Sequence, residues 1–258
     1  MAWQRERLTS GAFMPRWVWR EHMARYEFAA RYVRGKVVVE CACGNGIGSK
    51  VLLSAGAVAV EGFDCSASAV AEALVWCQSP IAHFRVGDAR HLPLPDHVAD
   101  IYVALETIEH LDQDRTFLAE VVRVLKPDGV FVCSTPNRTV KHPGASIADR
   151  PWNQYHVREY SREEFAHLLG SAFGQMEWYG QRPVPRRTAE GLAVVARRWD
   201  RRVAVTLHQL SKLPLLAWDA PARYAVRPIS VGGEADWEYE YLVAVCRQPR
   251  ELRAAVGS

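Results

Sequence analysis

The sequence predicts an α/β fold: a mostly parallel, seven-stranded sheet with helices on both faces. Three observations predict it. Val37–Glu40 is an apolar run that ends in an acid and feeds a turn containing Gly44, Gly46 and Gly48. A helix-capable segment follows, then a second apolar run ending in Asp64. The punctuation continues downstream. Val86-Gly87-Asp88-Ala89 closes a further short apolar segment, Asp100–Leu105 reads as a fourth strand, and Leu125–Val132 reads as a helix end, turn and fifth strand. Strand, turn, helix and strand in that order form half of a nucleotide-binding unit.

The glycines have a mechanical reason. A tight turn out of a strand needs positive φ, and a ligand reaches the backbone only where no Cβ intrudes. The next helix then offers unpaired N–H groups to that ligand. The frame G-x-G-x-x-G, which marks hydride-carrier sites, fails here because Ser49 stands third. The spacing is instead E-x-A-x-G-x-G from Glu40 through Ala42 to Gly46. Asp64 stands where an acid would hold ribose hydroxyls. Asp88 is able to accept from an exocyclic adenine amine and the Ala89 N–H to donate to the ring; an ordinary turn aspartate is the alternative.

Composition excludes several classes. The chain has 258 residues, an ordinary apolar fraction of 49% and a formal net charge of +3. That charge is too small to point to nucleic acid as a partner. No apolar run is long enough to span a bilayer, and MAWQRERLTSG contains no apolar signal region, so a cytoplasmic protein is expected. Cys41, Cys43, Cys65, Cys77, Cys133 and Cys246 lack zinc-site spacing and read as small core thiols.

With these pieces in order, the chain resembles the class I S-adenosylmethionine-dependent methyltransferases. The resemblance is carried by VVVECACGNGIG, VEGFDCS, VGDARHLPLPD, ADIYVALETIEHL and LKPDGVFVCSTPN, within residues 20 to 180. Two positions depart from the family pattern. Ala42 stands where glycine is usual, with a slightly tighter fit expected, and Glu40 stands where aspartate is commoner. The resemblance implies a Rossmann-like sheet and S-adenosylmethionine as cofactor. Glu40, Ala42, Gly44, Asn45, Gly46, Asp64, Cys65, Ser66, Asp88, Ala89 and Leu105 would then hold it.

Residues 14–34 have helical apolar spacing, with His22, Arg25 and Tyr26 on one face. The resemblance implies a helix covering the methionine end, with Arg25 on its carboxylate and Tyr26 near the sulfonium. A solvated surface stripe is the alternative. Ser161 and Glu164 form a capping-box pattern ahead of a helix over 161–172. Gln175–Gln181 and Trp237–Arg247 read as the sixth and last strands. The division is therefore a helical cap at 1–35, a cofactor-binding core at 36–181, an insertion at 182–236, and the last strand and tail at 237–258. The insertion opens with Arg182, Arg186, Arg187, Arg197, Arg198, Arg201 and Arg202, and looks helical near Ala189–Leu213. It reads as a lid, a homodimer contact, a seat for an anionic acceptor, or simply a solvated helix face.

The chemistry-bearing pattern is Glu106, Glu109 and His110, spaced to share one face of a helical turn after the fourth strand. His156 follows at a distance, while His91, His97 and His142 read as surface residues. Resemblance to metal-dependent O-methyltransferases makes Glu106, Glu109, His110 and His156 ligands of a divalent ion such as Mg²⁺ or Mn²⁺. Without a metal, His110 or His156 would act as general base, with Glu106 as a hydrogen-bond partner. Either way an oxygen acceptor is favoured, because a hydroxyl needs deprotonation and an amine does not. The expected partner is a small hydroxylated molecule such as a sugar, nucleoside or secondary metabolite. A ribose 2′-hydroxyl at an RNA end is the alternative acceptor, and a non-catalytic scaffold is a third reading.

Overall fold

The computed structural model describes residues 16–188, 190–191, 224–229, 237–250 and 252. Most of the predicted insertion, including its helical stretch to Leu213, lies outside the described residues. In chain order the elements begin with helix α1 (Arg16–Ala29), strand β1 (Val37–Cys41) and helix α2 (Ile47–Ser54). Strand β2 (Ala59–Asp64), helix α3 (Ala67–Trp76), strand β3 (Ala82–Val86) and strand β4 (Ala99–Leu105) follow. Next come α4 (Asp114–Val124), β5 (Leu125–Pro136), the short α5 (Arg138–Lys141) and α6 (Arg162–Gly170). The chain closes with β6 (Phe173–Pro185), β7 (Arg227–Pro228) and β8 (Trp237–Pro249).

The sheet order is β3-β2-β1-β4-β5-β8-β6-β7. Strands β1 to β5 run parallel, while β8 lies antiparallel between β5 and β6. The sheet has eight strands rather than the expected seven. The addition is β7, whose two residues pair with Tyr179 and Gly180 at the outer edge of β6. So short a segment carries no period that a sequence pattern would register.

Apolar side chains cover both faces, as a parallel sheet requires. One face packs Val39, Tyr102, Phe131 and Cys133 against Phe117, Val121 and Phe165. The other packs Val38, Ile101, Val103 and Val132 against Phe28, Val33 and Leu52. Strand order reverses at β1, which pairs with β2 on one side and β4 on the other. The loops after β1 and β4 therefore flank a crevice at the carboxyl edge, where open α/β sheets bind ligands. Five of the cysteines are buried as expected, whereas Cys65 is exposed at the end of β2.

Candidate functional site

The turn after β1 is built by positive-φ residues: Ala42 at 58°, Gly44 at 55° and Gly46 at 77°. Ala42 is exposed, so the difference from glycine lies in backbone strain and not in tighter packing, contrary to the sequence expectation. A Cβ on Gly44 would meet nothing within 4 Å, which leaves that peptide open to a ligand. Asp64 organises the turn from the neighbouring strand. Its carboxylate accepts from the Gly44 N–H at 3.1 Å and the Ser66 N–H at 2.8 Å. Asn45 is buried, and Ser66 caps α3 by accepting from the Ala69 N–H.

Glu40 ends β1 with its side chain enclosed. Ser49 donates to one carboxylate oxygen, and the Tyr26 hydroxyl lies alongside. The other oxygen, Oε1, is buried with no hydrogen-bond partner. Burial raises this carboxyl to about 7, and the nearby Asp64 charge adds to the shift. The α1 residues converge on the same place. A Cβ on Gly48 would stand 2.0 Å from the Tyr26 ring, so the bare glycine lets α1 dock on α2. Arg25 is fully buried, donates to Gln181 Oε1 at 2.5 Å and lies 4.5 Å above the Tyr241 ring. Its Nε and Nη2 are buried without hydrogen-bond partners. A buried Glu40 oxygen and buried Arg25 donors that lack hydrogen-bond partners fit the ammonium and carboxylate of an amino-acid ligand.

Asp88, by contrast, is half exposed and forms an ion pair with Arg90 at 2.7 Å. That guanidinium holds the Asp88 carboxyl below its usual range. Ala89 packs against the core, and Leu105 is buried at the end of β4.

The Glu106-to-His110 stretch differs from its expected shape. Glu106 adopts a φ of 51°, and only Ile108–His110 form a helical turn, of the tighter 3₁₀ type. The three side chains therefore do not share one α-helical face. Glu106 turns toward α1 and β5: it accepts from Ser134 Oγ at 2.7 Å and lies 3.8 Å from Arg25 Nε. Glu109 points into the interior and is fully buried. Thr135 donates to its Oε2 at 3.1 Å, and its Oε1 has no hydrogen-bond partner. Burial, with the charges of Glu106 and Glu159, holds the Glu109 carboxyl well above the ordinary range.

Main-chain bonds bring in the distant histidine. The Glu109 carbonyl accepts from the Val157 and Arg158 N–H groups, and His110 Nδ1 sits 3.0 Å from the Tyr155 carbonyl. The His110 and His156 rings end 4.9 Å apart. A carbonyl only accepts, so His110 Nδ1 carries the proton and the lone pair falls on Nε2. Ligand atoms of Glu109, His110 and His156 all lie within 4.8 Å of one another. Glu106 is outside that group, so the expected set of four is brought together as three. Sequence reasoning missed Glu159 and Asn153, which contact the two nitrogens of His156. The His-x-x-Glu spacing of His156 and Glu159 was the available signal. His142 is a correction: it is buried against Trp152 at 4.4 Å rather than on the surface, whereas His91 and His97 are exposed.

Comparison with known proteins bears on the family and the fold. Residues 39–133 match the methyltransferase domain family. A probable S-adenosylmethionine-dependent methyltransferase of Mycolicibacterium smegmatis is 36% identical over 172 residues, covering 67% of this chain and 65% of its own. The chain belongs to the class I S-adenosylmethionine-dependent methyltransferase family. A phthiotriol/phenolphthiotriol dimycocerosates methyltransferase of Mycobacterium tuberculosis is 32% identical over 149 residues, 56% of this chain and 55% of that one. The chain thus matches between about half and two thirds of the length of these relatives. Among solved structures, a possible histamine N-methyltransferase of Thermotoga maritima superposes with a TM-score of 0.58 at 16% identity. That superposition covers 90% of this chain and 93% of the other, and it speaks to the fold alone. Among the described residues, no helix is long and apolar enough to cross a membrane.

Proposed function

We propose that this chain transfers a methyl group from S-adenosylmethionine to a hydroxyl of a small molecule. Glu40 and Arg25 would take the ammonium and carboxylate of the donor. Asp64 would take its ribose hydroxyls, and Asp88 with the Ala89 N–H its adenine, once Asp88 exchanges Arg90 for the base. The donor supplies an already activated methyl group, so the protein's task is a deprotonated nucleophile held in line.

The observation that carries the choice of oxygen is the pairing of the half-buried His110 and His156 beside the buried Glu109. A sulfonium donor needs no acid, and an amine acceptor needs no base. Two imidazoles against a buried carboxyl answer a need that a hydroxyl has. His110 Nε2 accepts the hydroxyl proton, and the Tyr155 carbonyl at Nδ1 stabilises the resulting imidazolium. The relative named for phthiotriol supports this reading, since a triol is an oxygen acceptor. An anionic acceptor, a homodimer and a lid all rest on residues 182–236 and remain proposals with it.

The unpartnered Glu109 Oε1 favours a second reading. A divalent ion such as Mg²⁺ or Mn²⁺ would be held by Glu109, His110 and His156, and would supply a lowered hydroxyl pKa. Glu106 would then serve Arg25 and not the ion.

The test uses radiolabelled methyl donor with a panel of catechols, sugars and nucleosides, and RNA oligonucleotides as the contrast. His110→Ala is expected to lower kcat by about 10²–10⁴ while leaving S-adenosylhomocysteine affinity unchanged. Label appearing on nitrogen or carbon, or only on RNA, would overturn the proposal. Activity lost to EDTA and restored by Mg²⁺ or Mn²⁺ would select the metal version, and indifference to EDTA the base version.

A further inference from the structure

We propose that Glu159 is a positioning residue, which holds His156 in the tautomer protonated at Nδ1 with its lone pair on Nε2. This rests on the reading of the Glu109–His110–His156 cluster given above and names the group that orients one of its members.

The contacts define the tautomer from both sides of the ring. Glu159 Oε1 lies 2.7 Å from His156 Nδ1. Asn153 Nδ2 lies 2.8 Å from His156 Nε2. The orientation of that amide is set independently, because Asn153 Oδ1 accepts the Tyr155 N–H at 3.1 Å. The Asn153 nitrogen is therefore a donor, Nε2 is an acceptor, and the proton of a neutral imidazole belongs on Nδ1. A proton on Nε2 would set donor against donor at Asn153 and leave Nδ1 with no hydrogen to give Glu159.

Burial makes this pair more than a loop ornament. The His156 and Glu159 side chains are only 8% and 4% exposed. Glu159 Oε2 is buried with no hydrogen-bond partner, an expensive placement for a carboxylate on a connecting segment. The two residues between His156 and Glu159, Val157 and Arg158, both donate their N–H groups to the Glu109 carbonyl. The orienting carboxylate, the imidazole and the cluster are thus carried on one short, pinned segment. Carboxylates behind imidazoles serve this purpose in acid–base and in metal sites alike, and in the metal version the ion would replace the Asn153 amide at Nε2.

The experiment is two-bond ¹H–¹⁵N correlation spectroscopy on the full chain labelled with ¹⁵N-histidine, with His156 assigned by its loss in His156→Gln. The wild-type spectrum is expected to show Nδ1 protonated and Nε2 unprotonated. Glu159→Gln keeps an accepting oxygen and should keep that tautomer, whereas Glu159→Leu should lose the Nδ1–H signal and shift the ring toward the Nε2–H form. A wild-type His156 protonated on Nε2, or an unchanged tautomer in Glu159→Leu, would overturn the proposal. If Glu159→Leu does not fold, the wild-type spectrum and Glu159→Gln decide. Calorimetry with S-adenosylhomocysteine on the same samples separates the two claims. Absence of binding to the wild-type chain removes the methyl-transfer reading and leaves the tautomer result standing.

Discussion

Ala42 carries backbone strain in the turn after β1, and Glu40 beside it a buried carboxyl. An alanine at a φ of 58° forgoes the freedom that glycine has there. Ala42→Gly is expected to raise stability by about 0.5–1 kcal/mol in urea denaturation, net of the entropy glycine adds to the unfolded chain. Glu40 makes a pH-dependent contribution. Its carboxyl is raised from 4.5 to about 7 in the folded chain. Between those values the folded state binds more protons than the unfolded state, so stability falls as pH rises through this window. The loss from this group is about 3 kcal/mol by pH 8, and Glu40→Gln should flatten that part of the pH profile of urea midpoints. An unchanged profile would mean that Glu40 stays ionised when buried. The glycines, Glu40 and Asp64 were legible as single letters because each answers a local need. The Ala42 strain was not, since a φ angle is a property of the folded turn.

Between elements, the contact of α1 with α2 depends on an absent side chain. Gly48 faces the Tyr26 ring at a distance no Cβ tolerates. Gly48→Ala is expected to cost about 1–3 kcal/mol by thermal unfolding and to weaken S-adenosylhomocysteine binding, because Arg25 and Tyr26 move together with α1. A variant that binds as tightly as wild type would show that α1 does not cover the ligand. The cap helix was visible in the apolar spacing of 14–34, but its docking was not, because Gly48 reads equally well as a turn glycine. The Glu106–His110 turn shows the opposite case. Its letters have α-helical spacing, yet Ser134 and Arg25 draw Glu106 out of register. Tertiary partners outweighed a preference worth only a fraction of a kcal/mol per residue.

Across the whole molecule, a buried charge network ties the cap to the antiparallel edge of the sheet. Arg182 of β6 pairs with Glu21 of α1 and, at 3.3 Å, with Glu240 of β8. Lys141 reaches Glu240 at 2.5 Å from α5. Arg182→Met would leave Glu21 and Glu240 buried with fewer counter-charges, and is expected to cost about 3–5 kcal/mol in denaturant melts. Near-neutral behaviour would place water in that network. Arg182 was read from sequence as the start of a basic run facing solvent or an anion; in the fold it is 6% exposed and spent on internal pairing. Charge runs are read by neighbours in sequence, while burial is decided by strands that meet only after folding.

What the letters determined by themselves is the α/β class, the strand succession, and the glycine turn with its acids. Each follows from local causes: apolar runs long enough to be covered on both faces, and residue types whose backbone or side-chain demands are met within a few positions. Only the tertiary structure decided that Glu106 turns to Arg25, that Glu159 backs His156, and that Arg182 is internal. Those outcomes depend on which distant segments share a low-dielectric interior, where an unpaired charge or donor is costly enough to choose its partner.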